Sequence, residues 1–168
     1  MSTHHHNKFE FCSSCGNTLK MNKNNSSISF ICNSCNKEFF LDPKIAVATV
    51  IEDNNKILFV KRAIEPGIGL WSLPGGYVNQ GERVENAAAR EVFEEIGAHV
   101  RIESFLGVFS ETNNPVIVIG YSGKFITKTI WAKSEISAIK FFKPFQLPPL
   151  AFQRDRIILA SWLKLKNK

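Results

Sequence analysis

Runs of apolar residues bounded by polar turns divide most of the chain into predicted strands. Residues 45–50 (IAVATV) and 56–61 (KILFVK) are two such runs, and the polar residues 52–55 between them predict a turn. The polar stretch 20–27 (KMNKNNSS) predicts a hairpin tip or a disordered loop. Further strands are predicted at residues 29–31, 71–73, 100–110, 116–126 and 138–142.

Two segments have the apolar spacing of a helix instead. The first has an apolar stripe at i, i+4 and i+8, which predicts a helix over residues 84–96. Gly97 follows as a stop, whereas Arg83 offers no capping side chain at the start. The second helix is predicted near the C-terminus, from the apolar residues Ile158, Leu159, Trp162 and Leu163. Two helices around a mixed sheet predict the α/β class.

The composition fits a folded domain with a basic surface. A length of 168 residues suits one domain with a small appendage, and 44% hydrophobic residues, among them 14 Phe, suffice for a core. The 21 Lys and Arg residues outnumber the 15 Asp and Glu residues, for a formal net charge of +6. This excess fits an anionic substrate, although a solvated basic surface has the same composition. It is too diffuse to predict nucleic-acid binding.

The N-terminus and the hydropathy pattern predict a cytoplasmic protein. No apolar run approaches the roughly 20 residues of a membrane-spanning helix, so no membrane partner is expected. The stretch MSTHHHNKFEF lacks the apolar core of a signal peptide. Its three histidines, residues 4–6, are a fortuitous tract or a tag remnant, and no function is assigned to them. In the cytoplasm the four cysteines are expected to be reduced.

Three glutamates of the first predicted helix share one face. Glu91, Glu94 and Glu95 stand at i, i+3 and i+4. Like charges at this spacing repel one another by about a few tenths of a kcal/mol per pair, and by more when they are desolvated. A bound divalent cation reverses this effect, because Mg²⁺ takes hard oxygen ligands. A solvated acidic face without a metal is the alternative that these residues alone leave open.

The residues around this face match a known signature. Gly76, Glu82 and the run Arg90–Gly97 (REVFEEIG) resemble the signature of the Nudix hydrolases at every fixed charged and glycine position. Ala98 departs from it, because this last position usually carries a larger aliphatic residue. The resemblance implies an α/β/α sandwich with a mixed sheet. It also implies hydrolysis of a nucleoside diphosphate that is linked to another group.

The resemblance assigns metal-binding roles position by position. Glu91 and Glu95 would be ligands of Mg²⁺ or Mn²⁺. Glu94 would be a ligand or an outer group, and Glu82 an outer partner. The backbone carbonyl of Gly76 would be an additional ligand. Such ions would neutralise the pyrophosphate charge and help to generate hydroxide from water.

Other residues outside or beside this set are candidates for supporting roles. Arg90 is expected to orient the carboxylates through a bidentate pair. Nudix enzymes commonly recruit a further acid as ligand or general base, and Glu135 is the candidate here, with Glu111 in reserve; either could equally be a surface glutamate. Arg62 would bind a substrate phosphate unless it is simply solvated, and Trp71 is interpreted as core rather than as a platform for a base.

The N-terminal segment carries two CxxC pairs with the spacing of a four-thiolate zinc site. The expected ligands are Cys12, Cys15, Cys32 and Cys35. Gly16 and Asn33 suit the tight turns that such pairs form. Two disulfides would need an oxidising compartment, and a redox motif would need only one pair. Because four cysteines leave no open coordination position, the zinc would be structural.

These patterns divide the chain into a zinc ribbon at residues 8–41 and a Nudix domain at residues 42–168. The whole resembles Nudix proteins with an N-terminal zinc ribbon, which include NADH pyrophosphatases and ADP-ribose/FAD pyrophosphatases. The stretches KRAIEPGIGLWSLPGGYV and LPPLAF favour the latter group. The SQPWPFPxS signature of NADH pyrophosphatases does not follow Gly97, and Asn79 stands where Glu is frequent.

The resemblance therefore implies metal-dependent hydrolysis of ADP-ribose or FAD with release of AMP. The alternative within the same class is NADH or an NAD-type cap on RNA. The alternative of another class is a non-catalytic module that senses a nucleotide or binds nucleic acid, against which the intact carboxylate set argues. A homodimer is expected from the resemblance alone.

Overall fold

The computed structural model describes residues 10–24, 27–132 and 134–167. It divides into two compact units, the first ending at Pro43 and the second beginning at Lys44. The histidine tract at residues 4–6 lies outside the described residues. No helix in the described parts of the chain is long and apolar enough to cross a membrane.

The first unit contains an antiparallel sheet of three strands in the order β1-β2-β3. The strands are β1 (Leu19–Asn24), β2 (Ser27–Cys32) and β3 (Glu38–Phe40). β1 and β2 form an antiparallel hairpin, but the hairpin tip predicted at residues 20–27 was too long, because residues 20–24 belong to β1 and Ser27 begins β2. Residues 25 and 26 lie outside the described residues. The ladder forms despite the polar sequence, since backbone pairing with β2 satisfies the main chain of β1.

The second unit contains six strands and two helices, close to the predicted positions. The elements are β4 (Lys44–Asp53), β5 (Lys56–Arg62), β6 (Trp71–Ser72), α1 (Val84–Ile96), β7 (Val100–Phe109), β8 (Val116–Phe125), β9 (Ile136–Phe142) and α2 (Gln153–Lys166). Helix α1 has the predicted bounds. It begins after an extended Arg83 that makes no side-chain cap hydrogen bond, and it ends at Gly97 in the left-handed conformation, φ 72°.

The strands form a mixed sheet in the order β6-β5-β4-β8-β7, with β9 on the other edge of β5. β4 and β8 are parallel, and the other pairs are antiparallel. β4 pairs with β5 only next to the turn, where Asn54 and Asn55 both have positive φ. This is the conformation of a tight hairpin turn. The predicted turn at residues 52–55 was therefore too long, since its first two residues belong to β4.

Residues 74–78 occupy the place beside β4 that β5 leaves free. The amides of Thr49 and Val47 donate to the carbonyls of Pro74 and Gly76, each at 2.8 Å, and the amide of Val78 donates to a carbonyl of β4 at 3.0 Å. We call residues 73–76 (LPGG) the glycine turn. Backbone hydrogen bonds to β4, like those between neighbouring strands, hold it at the middle of the sheet.

The two helices cover opposite faces of this sheet. Along β4, the residues Ala46, Ala48 and Val50 pack in one cluster with Ile158, Leu159 and Trp162 of α2. The alternate residues Val47 and Ile51 pack in clusters that contain α1. Because successive side chains of a strand point to opposite faces, α1 and α2 lie on opposite sides. The predicted α/β/α sandwich with a mixed sheet is confirmed.

Candidate active site

Helix α1 presents its three glutamates to unequal environments. The side chain of Glu94 is half-exposed, that of Glu91 is mostly buried, and Glu95 is buried, with 8% of its surface exposed. The apolar stripe of α1 packs on the sheet, and so the inner edge of the acidic face meets the glycine turn. The face is therefore not a solvated surface: two of its three carboxylates are removed from bulk water.

Arg90 joins the acidic residues to one another. Its Nε and Nη2 donate to the two carboxylate oxygens of Glu82 at 2.8 and 2.9 Å, which is a bidentate pair. Its Nη1 donates to both Glu91 and Glu94 at 2.8 Å, and Nη2 also reaches the carbonyl of Tyr77 at 2.9 Å. This fixed fork is the geometry that only a guanidinium offers. Arg90 thus orients three carboxylates at once.

The two glycines of the glycine turn are required by close contacts. A Cβ on Gly76 would collide with the carboxylate of Glu91, and a Cβ on Gly75 would collide with the carbonyl of Val47. The amide of Gly75 donates to Glu95 Oε2 at 3.1 Å. The absence of side chains therefore lets the backbone approach the acidic face, and one backbone donor holds Glu95.

Burial and the neighbouring acids both disfavour the charged forms of the two inner acids, Glu91 and Glu95. Burial raises the pKa of Glu95 to about 8; the Gly75 amide and Arg62 oppose this, while Glu91 and Glu135 add to it. Burial also raises the pKa of Glu91 despite its contact with Arg90. In contrast, hydrogen bonds from Arg90 lower the pKa of Glu82. A divalent cation would stabilise the charged form of these carboxylates, and their oxygens are the hard ligands that such a cation takes.

A cleft of about 800 Å³ joins these groups to residues of other elements. Six of the predicted site residues line it, namely Arg62, Gly76, Glu91, Glu94, Glu95 and Glu135. Glu82 is connected to Glu91 and Glu94 through their shared hydrogen bonds with Arg90. Glu135 lies exposed in the turn immediately before β9, and its charge acts on both Glu91 and Glu95. Glu111 lies instead in the turn before β8, where it accepts a hydrogen bond from Asn114 at 3.0 Å.

Among the cleft residues that the sequence did not point to, three lie at the start of α2. Phe152, Arg154 and Asp155 line the end of the cleft at the start of α2. The guanidinium carbons of Arg62 and Arg154 lie 5.3 and 4.3 Å from the centroid of the Phe152 ring. In the sequence these residues have the ordinary pattern of a first helical turn, in which an acid favours the helix dipole. Trp71 packs edge-on against Phe142 at 5.0 Å and joins the core, in agreement with its interpretation.

The four cysteines of the first unit lie together. One ligand atom from each lies within 4.8 Å of the others, and all four are free thiols. Backbone bonds from Gly16 to Cys12 and from Asn36 to Cys32, both 2.8 Å, close the two tight turns. Asn33 lies within the second turn, as expected, and Asn36 after it adopts the left-handed conformation, φ 57°. Hydrogen bonds from Asn17 lower the pKa of Cys15 to about 6, whereas, against a backbone hydrogen bond from Lys37, burial and the other thiols raise the pKa of Cys35 to about 12.

The second unit matches a known protein family. The family model described as the NUDIX domain matches residues 42–162. The chain belongs to the Nudix hydrolase family. This match includes α1, the glycine turn and Glu135, so the observed cleft lies within the Nudix domain.

Several relatives support the assignment. An ADP-ribose pyrophosphatase of Methanocaldococcus jannaschii is 38% identical over 132 residues, which are 76% of this chain and 78% of that protein. The NAD-capped RNA hydrolase NudC of Pseudomonas aeruginosa is 26% identical over 153 residues, 89% of this chain but only 52% of that protein. The crystal structure of a NUDIX hydrolase from Nitrosomonas europaea superposes with a TM-score of 0.84 at 27% identity, covering 94% of this chain and 92% of that one.

The chain is accordingly a Nudix pyrophosphatase that acts on nucleoside diphosphate derivatives. Nudix enzymes generally use a divalent metal, and the carboxylates of this Nudix domain converge in one cleft with the oxygen donors that such a metal takes. The cysteine cluster is likewise compatible with zinc. The prediction of a Nudix hydrolase from the signature is confirmed.

Proposed function

We propose that this Nudix hydrolase cleaves the pyrophosphate bond of ADP-ribose or FAD and releases AMP. The observation that carries the proposal is the single cleft in which Glu91, Glu95 and Glu135 meet Arg62. It supplies acids for a metal and a base, and a cation for a phosphate. The 38% identity to a protein named ADP-ribose pyrophosphatase supports the substrate class.

The acidic face would hold Mg²⁺ or Mn²⁺. Glu91 and Glu95 are the proposed carboxylate ligands, with Glu94 as a ligand or outer group and Glu82 as an outer partner held by Arg90. The carbonyl of Gly76 already accepts the amide of Val47, and its second lone pair remains for a metal. When bound, the cation neutralises pyrophosphate charge and lowers the pKa of a coordinated water.

The protein's own groups would perform the remaining tasks. Arg62 would bind a substrate phosphate, since it lines the cleft and its charge reaches Glu95. Glu135 would take the proton of the attacking water, because it is exposed at the cleft and close enough to influence both inner acids. Oxygen from water then bonds to one phosphorus while the bridging P–O bond breaks. The products are AMP and either ribose 5-phosphate or FMN.

The second candidate substrate is NADH or an NAD-type cap on RNA. It is favoured by the match to NudC, which extends over 89% of the chain. Membership of a hydrolase family argues against the non-catalytic module. The homodimer and the cytoplasmic location stay predictions.

For the first unit we propose a structural zinc ion bound by Cys12, Cys15, Cys32 and Cys35. Four thiolates complete a tetrahedral site and leave no position for substrate. Residues 8–41 would form this ribbon and residues 42–168 the catalytic domain.

The test is a substrate panel of ADP-ribose, FAD, NADH and NAD with Mg²⁺, followed by phosphate release after phosphatase treatment. Wild type should give its highest kcat/KM with ADP-ribose or FAD. Glu95→Gln should fold and lose kcat by about 10³-fold, because several kcal/mol of charge stabilisation disappear. The matched control is Glu103→Gln, an exposed glutamate on β7 that should retain full activity. No turnover of any of these compounds by wild type would refute the proposal.

A further inference from the structure

The segment that leads into α2 is bound to the chain just before the glycine turn. The amide of Trp71 donates to the carbonyl of Pro149 at 3.0 Å, and the amide of Ala151 donates to the carbonyl of Trp71 at 2.7 Å. Two residues after Trp71, the amide of Leu73, the first residue of the glycine turn, donates to Asp155 Oδ2 at 3.0 Å. A side chain of α2 thus continues a backbone pairing that ends at Ala151.

The Leu73 amide lies close in the chain to the donor that holds Glu95. Only Pro74 separates Leu73 from Gly75, and the proline ring fixes φ and removes one rotational freedom from this connection. The carbonyl of Pro74 is also bound, by the amide of Thr49 at 2.8 Å. The Pro74 carbonyl and the Gly75 amide belong to one planar peptide, so the direction of the Gly75 amide depends on the bond from Thr49 and on how Leu73 is held.

Asp155 is an unusual residue to bury at this place. It is 3% exposed, and burial raises its pKa to about 7 even though the Leu73 amide, Arg154 and Arg62 act in the opposite direction; Glu111 adds to the rise. Burying a carboxyl group costs free energy unless hydrogen bonds in the folded protein compensate for the lost water. The hydrogen bond that Asp155 accepts from the Leu73 amide is such an interaction.

We infer that Asp155 is a positioning residue, which holds the glycine turn so that the Gly75 amide keeps the Glu95 carboxylate in its working orientation. The inference rests on the proposed function, in which Glu95 is a metal ligand. It assigns to α2 an indirect part in the geometry of the acidic face of α1. Asp155 acts through Leu73, Pro74 and Gly75.

The experiment compares Asp155→Ala, which removes the acceptor, with Asp155→Asn, which keeps an acceptor of the same shape. Gln153→Ala, an exposed change in the same helical turn, is the control. The first readout is hydrogen exchange of the Gly75 amide in the metal-free protein, measured by NMR. The second is kcat and KM with Mg²⁺ and the best substrate of the panel, and the third is Mn²⁺ affinity by calorimetry.

Asp155→Ala should accelerate exchange at Gly75 by about tenfold while the amides of β8 keep their protection. Its kcat or its Mn²⁺ affinity should fall by about 10- to 100-fold, with a much smaller change in KM. Asp155→Asn and Gln153→Ala should resemble wild type in all three readouts. If Asp155→Ala does not fold, Asp155→Ser replaces it, because a serine hydroxyl is too short to reach Leu73.

Wild-type exchange at Gly75 in the folded alanine or serine variant would overturn the inference. So would an asparagine variant that folds and loses as much kcat as the alanine variant. If wild type hydrolyses none of the substrates, the proposed function fails, while the exchange and Mn²⁺ measurements still decide whether Asp155 holds the Gly75–Glu95 contact.

Discussion

The acidic residues of the cleft differ in how they are neutralised. Arg90 reaches Glu82, Glu91 and Glu94, whereas Glu95 accepts its hydrogen bond from the uncharged Gly75 amide. Glu135 lines the same cleft and is exposed. A general base has to exchange its proton with solvent in every turnover, and an exposed carboxylate does so more readily than a buried one. The geometry therefore separates a base from the acids that are suited to hold a cation.

At the residue scale, this separation predicts different effects for the two candidate bases. Glu135→Gln should lower kcat by about 10²- to 10⁴-fold, since the amide cannot accept the proton of water. The kcat of Glu111→Gln should stay near that of wild type, because Glu111 lies in the turn before β8 and is not among the described residues that line the cleft. Steady-state kinetics with Mg²⁺ across pH 6–9 would measure both. Equal losses in the two variants would contradict the assignment of Glu135.

The buried Asp155 predicts a pH dependence of stability. Its pKa is about 7 in the folded protein against about 3.9 for an unfolded aspartate, so the folded state binds the extra proton between these values. The stability that this proton contributes is complete below about pH 4 and is lost as pH rises through about 7. Asp155→Asn does not titrate. Relative to wild type, it should therefore gain on the order of a few kcal/mol between pH 4 and pH 8.

Urea unfolding of both proteins at several pH values would check this prediction. Groups common to both proteins cancel in the difference, so only the titration of Asp155 remains. A difference in unfolding free energy that stays constant with pH would show that Asp155 is charged throughout.

Much of the site could be predicted at this scale, because the Nudix signature is a set of charged residues and glycines whose roles are local to one helix and one turn. Arg62 and Glu135 could be proposed only as candidates, since nothing in their neighbours fixes which loops meet the helix. Asp155 could not be predicted. Its burial and its contact with Leu73 depend on how α2 packs, and its position in the sequence is that of an ordinary first-turn acid.

At the scale of elements, the end of α1 is bound to the segment that carries Glu135. The amide of Trp131 donates to the carbonyl of Ile96 at 2.9 Å, and the Trp131 indole lies where a Cβ on Gly97 would be. Gly97 thus has two reasons to be glycine: its left-handed φ and the indole packed against it.

Gly97→Ala should lower the free energy of unfolding by about 2–4 kcal/mol, because it combines backbone strain with a steric collision. Gly69→Ala is the matched control, since Gly69 has a φ of 78° but nothing within 4 Å of an added Cβ. It should cost about 1 kcal/mol. Urea unfolding midpoints measure both changes. Equal costs would show that Trp131 moves aside without penalty.

The positions of the elements in the second unit followed from apolar runs, because its strands and helices bury one or both faces against a shared core. The same reasoning failed for β1. That strand has few buried side chains and is held by its ladder with β2, which leaves no hydrophobic pattern in the sequence. The left-handed conformation of Asn36 could not be predicted either, since CxxC spacing alone does not show which residue adopts it.

At the scale of the whole molecule, each unit has its own sheet, and the first is too small to have a large apolar core. A metal would supply the missing stability. We expect about one zinc ion per purified chain. Replacing Cys12 and Cys32 by serine should remove the zinc and accelerate amide exchange in β1, β2 and β3.

The catalytic unit of this double variant should keep its ordered sheet and most of its kcat, because a four-cysteine site is closed to substrate. Metal analysis, NMR and kinetics on the same sample would check the three expectations. Loss of kcat in parallel with loss of zinc would contradict a purely structural ion.

The early parting of β4 and β5 has a consequence for how the enzyme is inactivated. The glycine turn fills the resulting gap as a short substitute for a strand, with its amides and carbonyls shared between the sheet and the acidic helix face. Heat or denaturant cannot release the turn without also opening the centre of the sheet. Enzymatic rate and the strand content of the second unit should then vanish in one common transition, so that a simple rate assay would report the folded fraction of that unit.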